Sequence, residues 1–246
     1  MEKHYAIVLR TTDYKDYDKI LTLFSRSGGR IDAQARGARR MKSEIASAAQ
    51  PLSCGEYEFY KKGDRLFLTN ALLRQEFFRV QNDYDAYASA CVMLELSDKL
   101  LMHTTEYEDL FLTLIYALYA METEQLSASA ALAYFFARIT ELMGIFPTIG
   151  ECATCGDKAA GNPAWFSFSE GGEICASCAP HLRTVKVPRS VLTSIRELSV
   201  LKPKQVSEIR TLERDAKGAI DLLSKYLDSM MEIRLKTMKC LPENSL

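Results

Sequence analysis

The sequence predicts an α+β multidomain chain: an N-terminal five-stranded OB-type β-barrel, then an α-helical domain interrupted by a zinc ribbon-like module of four cysteines. Three observations predict it. Apolar residues recur with a period near two over the first eighty residues and with a period of three to four from about Asp83 onward. Two Cys-x-x-Cys pairs, Cys152 with Cys155 and Cys175 with Cys178, stand nineteen residues apart within the helical part. Charge divides along the same lines, with 15 Lys and Arg against 10 Asp and Glu in residues 1–80, 2 against 10 in 81–150, and 14 against 12 in 151–246. The expected segments are 1–80 for a nucleic-acid-binding OB-fold, 81–150 and 182–246 for the two parts of the helical domain, and 151–181 for the four-cysteine zinc-binding insertion.

Within the first segment, Tyr5 to Leu9 is an apolar run, and Lys19 to Phe24 follows with partial alternation. Ser27-Gly28-Gly29 turns the chain into a third strand, Arg30 to Ala35. The basic segment Gly37 to Ser43 has no clear apolar face. Leu52 to Tyr60 and Leu66 to Leu73 are two more strands, joined at Lys61-Lys62-Gly63-Asp64. Five strands with a long connection after the third fit a small Greek-key barrel of the OB type, with an SH3-like barrel as the nearest competitor.

Helices follow. Tyr84, Tyr87, Ala88, Cys91, Leu94 and Leu101 share one face, and Thr105 with Glu108 forms a capping-box pattern ahead of a helix over Leu110 to Met121. A third helix spans Ser129 to Met143, stopped by Gly144 with Pro147 beyond. Its apolar stripe is interrupted only by Arg138. After the cysteine box, Val185 to Pro188 leads into a helix from about Ser190, and a final helix runs from about Leu212 to Met231.

Read as thiolates, Cys152, Cys155, Cys175 and Cys178 are two chelating pairs whose spacing suits a tetrahedral Zn²⁺ site. Between them Trp165 to Ser169 alternates aromatic and small polar residues, and Gly171-Gly172 supplies a turn, as in a short hairpin. Four soft ligands close the coordination shell, whereas a catalytic zinc keeps a position for water, so the metal reads as a structural staple. A redox role for either pair is the weaker reading, because Gly156 and Asp157 continue into a turn instead of opening a helix. A zinc deaminase lacks its His-x-Glu element here, and His181, three residues past Cys178, reads as a surface histidine.

At 246 residues with 48% apolar residues, the chain is long enough for two modest domains. The charged start, Met1 to His4, is not a signal peptide, so an intracellular protein is expected. Cys54, Cys91 and Cys240 read as isolated buried thiols, and no apolar run reaches the length of a membrane span. No catalytic constellation emerges: Ser27-Gly28-Gly29-Arg30 lacks the rest of a phosphate-cradling loop. The three histidines, His4, His103 and His181, have no nucleophile partner. The chain therefore reads as a binding protein and not an enzyme, against the rival of a metal-dependent or redox enzyme built on the cysteine box.

Arg26, Arg30, Arg36, Arg39, Arg40 and Lys42 lie within seventeen residues around one strand and its loop. On one face they would make an electrostatic track for a phosphate backbone. Tyr14 and Tyr17 are candidate stacking platforms, while Phe24 reads as core. The plainer reading is a solvated basic face.

The order of segments then resembles a known family. Ala6 to Arg10, Asp18 to Phe24 with Gly29-Arg30-Ile31, Gly37-Ala38-Arg39-Arg40 before Gln50-Pro51-Leu52, and the closing Arg234-Leu235-Lys236-Thr237 are similar to the RecO family of bacterial recombination and repair proteins. So is a cysteine-pair box dividing a helical domain. Many members lack the cysteines, and the closing motif usually carries Ser where this chain has Thr237. The resemblance implies a non-enzymatic mediator that binds single- and double-stranded DNA and anneals complementary strands. It further implies work with RecR to help RecA replace single-strand binding protein, and docking of that protein's acidic C-terminal tail on the helical domain. Arg138, or the cluster of Arg234, Lys236 and Lys239, would receive a tail carboxylate. A cytoplasmic, nucleoid-associated bacterial protein is implied, with no membrane partner. The alternative is an RNA-binding or transcription-associated OB-fold protein with a structural zinc.

Overall fold

Alternating burial, apolar side chains inward and polar ones outward, draws the first strands into a closed barrel. The structure, a computed structural model, describes residues 2–201 and 214–242. The strands are β1 (Glu2–Tyr14), β2 (Asp18–Ser25), β3 (Gly29–Ala35), β4 (Cys54–Lys62) and β5 (Arg65–Gln75), closed in the order β1-β2-β3-β5-β4. β1 is longer than its apolar run predicts because it pairs on both edges. Glu2 to Ile7 face β4, and Ala6 to Tyr14 face β2 with a register shift between Val8 and Arg10. Ladder hydrogen bonds therefore hold its polar ends in extended form.

Closure comes from a parallel pairing of β3 with β5, Ala33 opposite Leu66 and Gln34 opposite Phe67. Val8, Leu21, Leu23, Ile31, Tyr57, Phe59 and Leu68 fill the interior. The connection from residue 36 to 53 is a run of turns whose Ala48 and Ala49 join that core. Tyr57 Oη lies 3.1 Å from both the Ala48 and Ser53 carbonyls, which pins the connection beneath the barrel. β4 and β5 are joined by Gly63-Asp64, and Gly63 takes φ 59°, a conformation open to glycine without steric cost.

The helices are α1 (Phe78–Asn82), α2 (Tyr84–Leu100), α3 (Tyr107–Glu122), α4 (Ala128–Leu142), α5 (Arg189–Val200) and α6 (Ala216–Met231). α4 is buried almost all round and packs against α5 and α6. Ser127 caps it, accepting from the Ala130 N–H at 3.2 Å. Ahead of α3, Thr104 Oγ1 accepts from the Glu106 N–H at 3.0 Å, so the turn is closed one residue before the Thr105 of the capping-box pattern. The predicted start of the last helix at Leu212 lies outside the described residues; its end at Met231 agrees. Of the three isolated cysteines, Cys54 is buried and Cys91 half-buried, but Cys240 is exposed. It ends a single 3₁₀ turn, Thr237–Cys240, with no buried residue of its own, and the next residue, Leu241, is the one turned inward. Among the described residues no helix is long and apolar enough to cross a membrane.

Two compact units result, Met1–Arg79 with Leu94–Leu114, and Val80–Met93 with Ile115–Leu246. In the second, β6 (Ala164–Ser167), β7 (Gly172–Ile174) and β8 (Val185–Val187) form a three-stranded sheet in the order β7-β6-β8. The first two strands are the hairpin read from the sequence. β8 is an addition, too short for periodicity to reveal.

Candidate metal centre and nucleic-acid interface

The small sheet carries four cysteines on two turns. Cys152 and Cys155 sit on the turn where the Gly156 N–H bonds the Cys152 carbonyl at 2.9 Å. Cys175 and Cys178 flank a second turn, closed by the Cys178 N–H on the Cys175 carbonyl at 3.2 Å. The two turns are joined by the Ala153 N–H donating to the Glu173 carbonyl at 2.8 Å. All four sulfurs lie within 4.8 Å of one another, and those of Cys155 and Cys175 are 3.7 Å apart. His181 is exposed and stands outside the cluster.

Burial resists ionisation of Cys152, yet the N–H groups of Cys175, Cys155 and Thr154 outweigh it and bring the thiol down to about 6. The Asp157 N–H favours the Cys155 thiolate, but desolvation and the three neighbouring thiols push it up to about 12. Four adjacent sulfurs cannot all carry negative charge without a cation among them. The donor set therefore fits a metal ion held by four thiolates.

The sheet is anchored to the helices through Glu173, a carboxylate 1% exposed. It accepts from both Nη atoms of Arg189 at the start of α5, and from the Gly150 N–H at 2.9 Å. Phe166 adds edge-on ring contacts to Phe168 and to Tyr226 of α6, at 5.4 and 5.8 Å. Close to this junction, a groove of about 1040 Å³ is lined by Phe168, Arg183, Val185, Lys225, Asp228 and Arg234, among others. Arg234 is 88% exposed and 3.3 Å from Asp228. Lys236 is exposed two residues on. Arg138, by contrast, is partly buried and donates to the Ser199 carbonyl at the end of α5.

On the barrel the six predicted cations divide into two groups. Arg26 donates to Glu108 with a 3.1 Å bond from Nε, while Arg30 reaches Asp98 at 2.7 Å and Asp32 at 3.0 Å. Both thus face carboxylates of the same unit, Arg30 in a partly buried network and Arg26 in an exposed pair. The other four follow β3 and, like Arg26, are exposed. Arg36 stacks its guanidinium 4.1 Å from the Phe67 ring centre, Arg40 stands 5.5 Å from that of Tyr17, Arg39 lies 3.4 Å from Asp13, and Lys42 extends from the same loop. Tyr17 is 54% exposed, whereas Phe24 is fully buried against Phe111. Asp18 ties this loop to the barrel, accepting from the Gly37 N–H at 2.8 Å and from Gln34 Nε2 at 2.6 Å.

Comparison with known proteins places the chain among relatives. A family model described as recombination protein O, N terminal, matches residues 1–76, and one described as recombination protein O, C terminal, matches residues 81–239. The chain is 27% identical over 236 residues to a DNA repair protein RecO of Caldanaerobacter subterraneus subsp. tengcongensis, covering 96% of this chain and 95% of that protein. It is 29% identical to one of Streptomyces coelicolor (95% and 96% covered) and 30% identical to one of a Nocardioides species (95% and 96%).

Proposed function

The chain belongs to the recombination protein O family, and from that premise we propose that it is a non-enzymatic DNA repair and recombination mediator whose barrel holds the strands. One observation carries the reading: Arg36, Arg39, Arg40 and Lys42 stand exposed on one loop of a closed barrel, two of them laid against aromatic rings. Such a surface binds phosphate by charge and bases by stacking, with little sequence preference. The ion pair of Arg39 with Asp13 is exposed and worth little, so a phosphate displaces the carboxylate readily. Arg30, held by Asp98 and Asp32 in a partly buried network, serves the barrel's own packing in this account, while the exposed pair of Arg26 with Glu108 is as weak as that of Arg39 and leaves Arg26 open to phosphate.

Two strands held without sequence preference can be brought together, and annealing follows. Work with RecR to help RecA replace single-strand binding protein is the role the family implies. The groove beside Arg183, Lys225 and Arg234 fits an acidic tail with an apolar end, since its cations lie next to Phe168 and Val185. Arg234, which lines this groove and is 88% exposed, is therefore the better tail contact, whereas Arg138 is partly buried against the Ser199 carbonyl. We assign zinc to the four cysteines in a structural role. The 3.7 Å separation of the Cys155 and Cys175 sulfurs supports it, being close to the ~3.8 Å edge of a tetrahedron with ~2.3 Å Zn–S bonds.

The test is annealing of complementary strands precoated with single-strand binding protein, with and without that protein's C-terminal tail. Annealing that depends on the tail and needs no nucleotide hydrolysis is expected. Equal annealing on tail-less protein would remove the tail site. No annealing at all, with tighter binding to RNA than to DNA, would favour an RNA-binding role.

A further inference from the structure

We propose that Met41, at the tip of the cationic loop, is a wedge that enters a base step of duplex DNA from the minor groove and parts it, while the neighbouring cations hold the phosphates. The proposal rests on the reading of that loop as the phosphate-binding surface. Met41 is 104% exposed, more than any other large apolar side chain among the described residues. A single exposed methionine is ordinary on a protein surface. This one is set apart by where the backbone puts it and by the charge around it.

The Ser43 N–H donates to the Arg40 carbonyl at 3.1 Å, closing a four-residue turn whose two central residues are Met41 and Lys42. The turn before it, closed by the Arg40 N–H on the Gly37 carbonyl at 3.0 Å, buries Ala38 in the barrel core. Two more bonds fix this base to the barrel, from the Arg39 N–H to the Tyr17 carbonyl at 3.0 Å and from the Gly37 N–H to Asp18 at 2.8 Å. The tip thus stands on a fixed footing. Arg39 and Arg40 turn back toward Asp13 and Tyr17, which leaves the thioether chain of Met41 as the apolar group at the apex. Residues 36–53 hold four cations, Arg36, Arg39, Arg40 and Lys42, against one carboxylate, Glu44. A polyanion is therefore the partner this tip attracts. The minor groove of duplex DNA, roughly 6 Å wide, admits a slender side chain. Apolar wedges that enter it, methionine among them, part adjacent base pairs while phosphate contacts supply affinity. Burying the thioether chain between bases removes it from water and offsets part of the lost stacking. Methionine is unbranched and adapts to the step it enters, so the wedge reads no sequence. It favours steps that are already weakly stacked, and a mismatched pair costs least to open.

The experiment measures the affinity of the full chain for a short matched duplex and for the same duplex with one central mismatch, across a range of salt, for the wild type, Met41→Ala and Met41→Leu. Wild type should bind the mismatched duplex about tenfold tighter than the matched one. Met41→Ala should bring the two affinities close together and leave the salt dependence unchanged, because no cation is lost. Met41→Leu, which keeps an apolar wedge, should keep most of the preference. Met41 is fully exposed, so neither variant disturbs the core. Equal wild-type affinities, a preference that survives in Met41→Ala, or one lost as completely in Met41→Leu would overturn the wedge and leave the loop as a phosphate-binding surface. Binding of neither duplex would overturn both together.

Discussion

Asp18 shows how one side chain prepares the cationic loop. Its carboxylate takes hydrogen bonds from the Gly37 N–H and from Gln34, and the first of these, with help from Gln34, Lys15 and Arg36, holds its carboxyl below the usual carboxylate range. A carboxyl depressed in the folded state stabilises above its unfolded pKa of about 4 and loses that contribution as pH falls through the folded value. Asp18→Ala is therefore expected to lower stability at pH 7 in urea unfolding by no more than about 1 kcal/mol, since solvent screens the carboxylate. The gap from wild type should shrink as the pH drops below about 4. A gap that persisted in acid would mean that packing, and not the charged hydrogen bonds, is what Asp18 supplies. Its role was not legible in the sequence, because Gln34 and Gly37 lie 16 and 19 residues away. The same applies to Arg26 with Glu108 and Arg30 with Asp98, separated by 82 and 68 residues. Charge composition announced those arginines but could not say which were already paired.

Among the elements, the ribbon of β6, β7 and β8 is the most legible. Cysteine spacing announced it, since two residues between thiols make a turn that aims both at one ion. The barrel strands were legible from alternation, and α4 from its apolar stripe and Gly144 stop. What escaped were short pieces, α1 and β8, and the polar ends of β1, whose extended form depends on partners on both edges. Because the ribbon leans on α5 through Glu173 and Arg189 and on α6 through Phe166, losing its metal should unsettle the helical unit before the barrel. A chelator is expected to lower the melting temperature of the wild type. Cys155→Ser should be less stable from the outset, hold no metal and no longer respond to chelator, while its folded fraction keeps its DNA affinity. Lost DNA affinity in a fully folded Cys155→Ser protein would instead make the ribbon part of the DNA surface.

Taken whole, the molecule carries a formal charge of −1, which by itself would not draw it to DNA. The attraction has to come from uneven distribution: residues 1–80 hold 15 Lys and Arg against 10 Asp and Glu, and residues 81–150 hold 2 against 10. Within the basic part, Arg36, Arg39, Arg40 and Lys42 are the cations the fold gathers on one loop of the barrel. Each phosphate neutralised by a bound cation releases counterions, so salt dependence counts such contacts. The most direct measurement is the slope of log affinity against log salt for duplex DNA of several sequences, compared between the wild type and the variant carrying Arg39→Ala and Arg40→Ala. The account predicts weaker binding to every sequence and a slope shallower by about two units. An unchanged slope would contradict it and move the DNA surface away from the barrel loop.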